Sequence, residues 1–155
     1  SNFTDHKNHI NILKHVNLLN KYIIVLVGSP QDKSGLKIFK ELEKLPMVRI
    51  LQNIDENELI TLVRNCEFSI FPSLYEGFGM PILEAINQKK NVLVNRKLEL
   101  DHFEKCERVK FVSFSKKIDD KDIEWAQNHH SCNPKCISNK DWSDSAREII
   151  RLINA

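Results

Sequence analysis

The sequence lacks several features that would place it at once in a broad class of protein. Its 23 lysines and arginines are nearly balanced by 21 aspartates and glutamates, which leaves a net charge of +2. A domain that binds nucleic acid carries a marked excess of basic residues, so this class is disfavoured. The longest apolar run, at residues 22–27, is far shorter than the roughly 20 residues that cross a bilayer. We also expect no signal peptide, because no apolar leader opens the chain.

A disulfide framework and the common catalytic motifs are also missing. Four cysteines do not form the framework of a small secreted disulfide protein, so reduced thiols and a cytoplasmic location are expected. The sequence contains no Ser/His/Asp arrangement, no Walker loop and no zinc-protease helix. Structural zinc sites usually pair two ligand clusters, and only one is present, so no metal is expected. That cluster, whose role stays open, consists of His129, His130, Cys132 and Cys136.

What the sequence does contain is an alternation of short β-rich runs with helical periodicity. A chain of 155 residues can bury the core of one domain. The alternation predicts an α/β fold with a parallel sheet covered on both faces. Asp55 and Glu58 predict a capping box at the start of one helix, on whose apolar face Cys66 is expected. The predicted strands are residues 22–27, 47–51, 68–71, 91–94 and 109–114, and helical spacing occurs around residues 6–19, 36–42, 58–66, 81–89, 100–106, 123–126 and 142–153.

The order of these elements favours a Rossmann-like, doubly wound parallel sheet spanning residues 1–155. Such a fold has the strand order 3-2-1-4-5-6 and binds ligands where the order reverses. If the first strand is the one missing, residues 22–27 and 68–71 lie near the centre and residues 109–114 lie towards one edge. The empty slot between the two central strands would stay open or be filled by residues near Phe3.

Residues 68–89, FSIFPSLYEGFGMPILEAINQK, are the most informative stretch. A predicted strand leads into a loop with Gly77 and Gly79, where backbone can adopt positive φ and approach a ligand closely. Pro81 suits the first position of a following helix. A glycine loop before a helix N-terminus is a typical anion-binding arrangement. Glu76 in the loop and Glu84, predicted in the first turn of the helix, are expected to face one cleft.

This stretch resembles a known family. SLYEGFGMPILEA, residues 73–85, is similar to the E-x7-E signature of retaining glycosyltransferases of the GT-B fold, family 4 type, with Glu76 and Glu84 as the two glutamates. A second likeness lies at the start of the chain, where Lys7, Asn8 and His9 match the end of the family's G-T-I-E-P-R-K-N-H stretch. Asn2 and His6 depart from the arginines that many members carry nearby. The resemblance implies the C-terminal, donor-binding domain of such an enzyme.

The resemblance also implies roles for individual residues. Glu76 and Lys7 would be the catalytic residues, Glu76 holding sugar hydroxyls and Lys7 contacting the donor diphosphate. Glu84 would hold the ribose, and backbone at Asn53 and Ile54 would lie beside the base. Gly28 is interpreted as a turn near the cleft. The donor-binding loop and helix start comprise Gly77, Phe78, Gly79, Met80, Pro81 and Ile82.

The implied partners follow from the same likeness. The donor would be a UDP- or GDP-sugar, bound as a substrate, with no cofactor and no metal. The acceptor would be a glycan or a lipid-linked sugar, held by an N-terminal domain that is expected outside this sequence. That domain would also make any peripheral contact with the inner face of the membrane. Residues 1–155 would not turn over substrate alone.

Several alternatives remain beside this interpretation. A non-catalytic nucleotide-sugar-binding domain is the main one, and a sugar-nucleotide epimerase of the same architecture is another. Asp120 and Asp122 form the D-x-D spacing that carries metal in GT-A glycosyltransferases, but their place before a helix favours a capping role. His102 has no partner that spacing can identify.

Overall fold

The computed structural model of the protein describes residues 2–15, 18 and 20–128. Its strands are parallel and fall into two sheets. In the first sheet, β1 (Ile24–Val27) pairs with β2 (Val48–Leu51). In the second, β4 (Val92–Asn95) lies between β3 (Ser69–Phe71) and β5 (Val109–Val112). The predicted α/β class with parallel strands is therefore confirmed, although the strand ends differ slightly from the predicted ones.

Helices follow most of these strands along the chain, as the alternating pattern predicts. They are α1 (Lys33–Glu43), α2 (Glu56–Asn65), α3 (Met80–Asn87) and α4 (Asp120–Gln127). In the described part of the chain, three short 3-10 helices accompany them, at Asp5–Lys7, His9–Lys14 and Asp101–Phe103. The predicted capping box is present, because the Asp55 side chain accepts from the Glu58 N–H and the Glu58 carboxylate accepts from the Asp55 N–H.

In the described residues, the slot predicted between the two central strands stays open. β1 pairs with β2 alone and β3 pairs with β4 alone, so the two sheets share no strand. The strand orders β2-β1 and β3-β4-β5 are those of a doubly wound sheet whose first strand is absent between β1 and β3. Phe3 does not form a strand in that slot. It makes a parallel bridge to Pro30, which lies beyond the end of β1.

Side-chain packing joins the two sheets where backbone pairing does not. Ile24 on β1 packs against two apolar clusters, one on each side of the divide. The rings of Tyr22 and Phe68 meet edge to face, with centroids 5.4 Å apart. β4 is buried along its whole length, as expected for the middle strand of a sheet covered on both faces. The molecule thus has a continuous core across the gap between the sheets.

Five local predictions need correction. Of the helix predicted at residues 6–19, the part up to Lys14 is two 3-10 helices, separated by Asn8, which adopts a left-handed conformation. Cys66 lies just after α2, half-buried, rather than on its apolar face. Asp119 caps α4, whereas Asp120 and Asp122 lie in its first turn. The other corrected residues belong to α3, where Pro81 is the second helical residue and Glu84 the fifth, so Glu84 is not in the first turn.

Two predictions fall outside the described residues. They are the helix at residues 142–153 and the cluster of His129, His130, Cys132 and Cys136.

Candidate functional site

The segment of residues 2–9 crosses the carboxyl ends of strands from both sheets. The Phe3 N–H donates to the Ser29 carbonyl just after β1, at 3.1 Å. At the other sheet, the Leu74 N–H donates to the His6 carbonyl, at 2.7 Å, just after β3. In a doubly wound fold, ligands bind at this edge, between the strands where the order reverses. The segment therefore places its polar side chains at the expected binding position.

Two buried asparagines hold this segment and β4 to the end of β3. The side-chain amides of Asn8 and Asn95 both donate to the Pro72 carbonyl, each at 2.9 Å. Asn8 has a φ of 58°, a conformation that asparagine tolerates better than most residues. Because both amides are buried and satisfied, the carbonyl at the start of the glycine loop has a defined position.

Lys7 and Glu76 form the ion pair at the centre of the site. The Lys7 Nζ lies 2.7 Å from Glu76 Oε1, and the side chains are 19% and 13% exposed. Ser73 Oγ donates to the same carboxylate oxygen, at 2.8 Å. Partial burial weakens the screening of this pair by water, so it is stronger than an ordinary surface ion pair. The structure thus brings together the two residues for which the sequence predicts catalytic roles.

The two loop glycines differ in the structure. Gly79 has a φ of 80°, and a Cβ there would lie 3.1 Å from Phe103 Cε2 and 3.2 Å from Leu100 Cδ1. Gly77 shows no positive φ, and a Cβ added to it would meet no atom within 4 Å. Only Gly79 therefore requires glycine for conformation and space. The prediction that both loop glycines use their freedom is confirmed for Gly79 alone.

The N-terminus of α3 offers fewer free N–H groups than its first residues suggest. Pro81 has none, and the Ile82 N–H donates to the Gly79 carbonyl at 2.9 Å. The Ile82 side chain is a core residue, only 1% exposed. Anion binding by this helix start would therefore rest on the N–H groups of Gly79 and Met80.

A separate cleft of about 420 Å³ contains the other predicted contacts. Glu84, Asn53, Ile54 and Gly28 all line it. Asn53 has a φ of 56°, and Gly28 a φ of 148°, so both turns after the strands of the first sheet are sharp. Glu76 is not among the residues that line this cleft, and its carboxylate instead contacts Lys7 and Ser73. Glu84 lies about 7.5 Å along the axis of α3 from Gly79, at 1.5 Å per residue.

His102 has a partner that its spacing in the sequence did not reveal. Its Nε2 lies 2.9 Å from the Phe78 carbonyl oxygen, and its ring stacks on the Phe78 ring with centroids 4.7 Å apart. The Phe78 side chain remains 46% exposed despite this contact. The 3-10 helix Asp101–Phe103 thus supports the glycine loop from one side.

Burial changes the titration of two histidines near the first residues. Burial, followed by nearby positive charges that include Lys7, lowers the pKa of His9 to about 4. Burial also lowers the pKa of His15, whose Nδ1 accepts from the Ile118 N–H at 3.2 Å. Both rings are therefore neutral at pH 7. Neither adds positive charge to the site, so Lys7 is the nearest cation to Glu76 in this segment.

Metal binding and membrane spanning find no support in the described part of the chain. Among those residues, no three His, Cys, Asp or Glu side chains are grouped closely enough to hold a metal ion. Asp122, one of the two aspartates with D-x-D spacing, instead forms an ion pair with Lys110 at 2.7 Å. Within the same residues, no helix has the length and apolar character needed to cross a membrane.

Sequence reasoning missed the residues that position the site. Two of them, Asn95 and His102, contact residues that are distant in sequence. Ser73 contacts Glu76 within an irregular loop, where no periodic pattern indicates the contact. The only local signal was the polar Asn95 at the end of an otherwise apolar strand, where parallel-sheet proteins place ligand-binding residues.

The sequence of the chain is similar to those of known proteins. The family described as "Glycosyl transferases group 1" matches residues 1–126. Two proteins of Escherichia coli, each named "Serotype-specific mannosyltransferase WbdA", are 32% identical to this chain over 82 residues. The match covers 50% of this chain and 10% of each relative, so the chain spans about a tenth of their length.

Proposed function

The chain belongs to the group 1 family of glycosyl transferases, and on that premise we propose that it is the donor-binding domain of a retaining, family 4 type glycosyltransferase that uses a nucleotide-diphospho-sugar. The observation that carries the proposal is the Lys7–Glu76 pair, held beside the glycine loop where the strand order reverses. A cation, a carboxylate and free backbone N–H groups at one position suit a substrate with both phosphates and sugar hydroxyls.

The diphosphate is proposed to bind between Lys7 and the start of α3. Transfer develops negative charge on the leaving diphosphate, and groups already in place stabilise that charge most effectively. Lys7 is held in place by Glu76, and Gly79 and Met80 supply N–H groups from the helix start. These groups would stabilise the leaving group without a metal.

The sugar is proposed to bind against Glu76. An ionised carboxylate accepts hydrogen bonds from hydroxyl groups, and its bond with Ser73 leaves the second oxygen, Oε2, available for this purpose. Retention requires that the acceptor hydroxyl attack from the face that the diphosphate leaves. Glu76 and Lys7 lie 2.7 Å apart, so a sugar held by one places its anomeric carbon beside the phosphates held by the other.

The nucleoside is proposed to occupy the cleft lined by Glu84, Asn53 and Ile54. Glu84 is exposed, and its carboxylate is free to accept bonds from ribose hydroxyls. Backbone at Asn53 and Ile54 would contact the base, which is that of UDP or GDP. The cleft and the ion pair are therefore two parts of one donor site, connected along α3.

The relatives suggest which sugar to test first. Both are named mannosyltransferases, so we propose a mannosyl donor before other hexoses. The acceptor, a glycan or lipid-linked sugar for polysaccharide biosynthesis, would bind to an N-terminal domain outside this sequence. We place the protein in the cytoplasm, with any contact to the inner face of the membrane made by that domain.

Isothermal titration of the 155-residue chain with UDP, GDP and their mannose, glucose and galactose derivatives tests the proposal. We expect one nucleoside diphosphate to bind, and one of its sugars to bind more tightly. Lys7→Ala should weaken the binding of both, and Lys37→Ala, on the exposed face of α1, serves as the matched control. Absence of binding by every diphosphate would refute the proposal. Binding with no transfer by the full-length protein would favour the non-catalytic alternative.

A further inference from the structure

The contact between His102 and Phe78 reaches the peptide group that precedes Gly79. His102 Nε2 lies 2.9 Å from the Phe78 carbonyl oxygen, so this nitrogen carries the proton and donates it. The two rings stack with planes 18° apart. Phe103, which is fully buried, packs against both of these rings. One short 3-10 helix therefore contacts the glycine loop through a hydrogen bond and an aromatic stack.

This hydrogen bond determines the direction of a neighbouring N–H group. In a trans peptide the C=O and the N–H point in opposite directions, and the described residues contain no cis peptide bond. The Phe78 carbonyl points to His102, so the Gly79 N–H points away from it. Gly79 has a φ of 80°, and a Cβ added there would lie 3.1 Å from Phe103 Cε2 and 3.2 Å from Leu100 Cδ1, so these two side chains are close to Gly79.

We propose that His102 is a positioning residue for anion binding: it holds the Phe78–Gly79 peptide so that the Gly79 N–H faces the diphosphate of the donor. This inference rests on the proposed function. Among the first residues of α3 and its cap, only Gly79 and Met80 offer N–H groups to an anion, so the direction of one of them matters. A glycine peptide rotates easily when nothing holds it, because no Cβ restricts the backbone.

Three substitutions separate the hydrogen bond from the stack. His102→Gln keeps a donor near the position of Nε2 and removes the ring. His102→Phe keeps an aromatic ring and removes the donor, and His102→Ala removes both. Loss of one net hydrogen bond corresponds to roughly a threefold to tenfold loss of affinity. We expect that loss for the nucleoside diphosphate in His102→Ala and His102→Phe, with His102→Gln near wild type.

The readout must distinguish positioning from a general loss of structure. We would titrate each variant with UDP or GDP, and with uridine or guanosine, by ¹H–¹⁵N NMR, and follow the Gly79 amide. Nucleoside affinity should be equal in wild type and all three variants. The Gly79 amide shift on adding diphosphate should be present in wild type and His102→Gln and reduced in the other two. Thermal unfolding of each variant identifies any that does not fold.

The outcomes are separable from those of the proposed function. If wild type binds neither diphosphate, the proposed function is refuted. If wild type binds one and His102→Phe binds it equally well, the positioning role alone is refuted. Equal losses of diphosphate and nucleoside affinity would also refute it, because a purely structural role predicts that result.

Discussion

The Lys7 ammonium group donates a 2.7 Å hydrogen bond to Glu76 Oε1, across 69 positions of sequence. Each residue therefore satisfies part of the bonding capacity of the other. A diphosphate that approaches Lys7 competes with Glu76 for the same ammonium group. A sugar that approaches Glu76 meets a carboxylate already oriented by Lys7 and Ser73. The pair thus couples the two ends of the proposed donor.

Replacing Glu76 with glutamine should affect two ligands in different ways. Glu76→Gln removes the negative charge that pairs with the Lys7 ammonium group. Free nucleoside diphosphate should therefore bind to this variant as tightly as to wild type, or more tightly. The binding free energy of the nucleotide-sugar should become less favourable by roughly 1.5–3 kcal/mol, the usual contribution of a hydrogen bond to a charged group. Calorimetry with both ligands measures the difference. Glu43→Gln, on the exposed side of α1, is the control, and a parallel loss of both ligands would contradict the prediction.

The two loop glycines should respond very differently to alanine. Gly79→Ala places a residue with a side chain in a left-handed backbone conformation and brings its Cβ within 3.1 Å of Phe103. We therefore expect the free energy of unfolding to fall by roughly 1–3 kcal/mol. Gly77→Ala meets open space at an ordinary φ and should change stability by less than about 0.5 kcal/mol. Chemical unfolding of both variants measures these values. Equal effects would show that the loop does not hold Gly79 in a left-handed conformation.

Gly35 should not tolerate alanine, although alanine normally stabilises a helix. Gly35 lies in α1, where glycine costs about 1 kcal/mol relative to alanine. Here an added Cβ would lie 2.0 Å from the Phe3 carbonyl oxygen, a backbone atom that cannot rotate away. Gly35→Ala should therefore destabilise the protein and displace the segment that bears Lys7. Thermal unfolding and diphosphate titration measure the two effects. Leu36→Ala, at an exposed position of the same helix, should leave both unchanged.

Acidification should destabilise the protein partly through His9. Burial lowers the pKa of His9 from its ordinary 6.5 to about 4 in the folded protein. Below pH 6.5, His9 binds a proton in the unfolded chain but not in the folded protein. The free energy of unfolding therefore falls between about pH 6.5 and 4, and His9 contributes at most about 3 kcal/mol to this fall. His9→Gln should reduce that slope, and His15 should account for part of the remainder. Urea unfolding at several pH values measures it, and an unchanged slope in His9→Gln would contradict the assignment.

Much of the fold was predictable because its signals are local. The alternation of apolar runs and helical spacing predicted all five strands, and Asp55 with Glu58 predicted a cap that the structure confirms. The strand–loop–helix unit around Gly79 was predictable for the same reason. These features depend on residues a few positions apart, whose preferences are expressed within a single element.

Tertiary structure decided the features that depend on distant residues. The sequence indicated Lys7 and Glu76 as site residues through a family likeness, but their contact depends on the segment that crosses both sheets. The same holds for the two asparagines on the Pro72 carbonyl and for His102 beside Phe78. The sequence left two outcomes for the slot between the central strands, empty or filled, because strand runs show where strands form and not which edges pair. Gly77 and Gly79 look alike in the sequence, and only the folded structure shows that Gly79 has a left-handed φ and that Leu100 and Phe103 leave little space for a side chain there. Such contacts join groups with no shared local pattern, so only the folded chain brings them together.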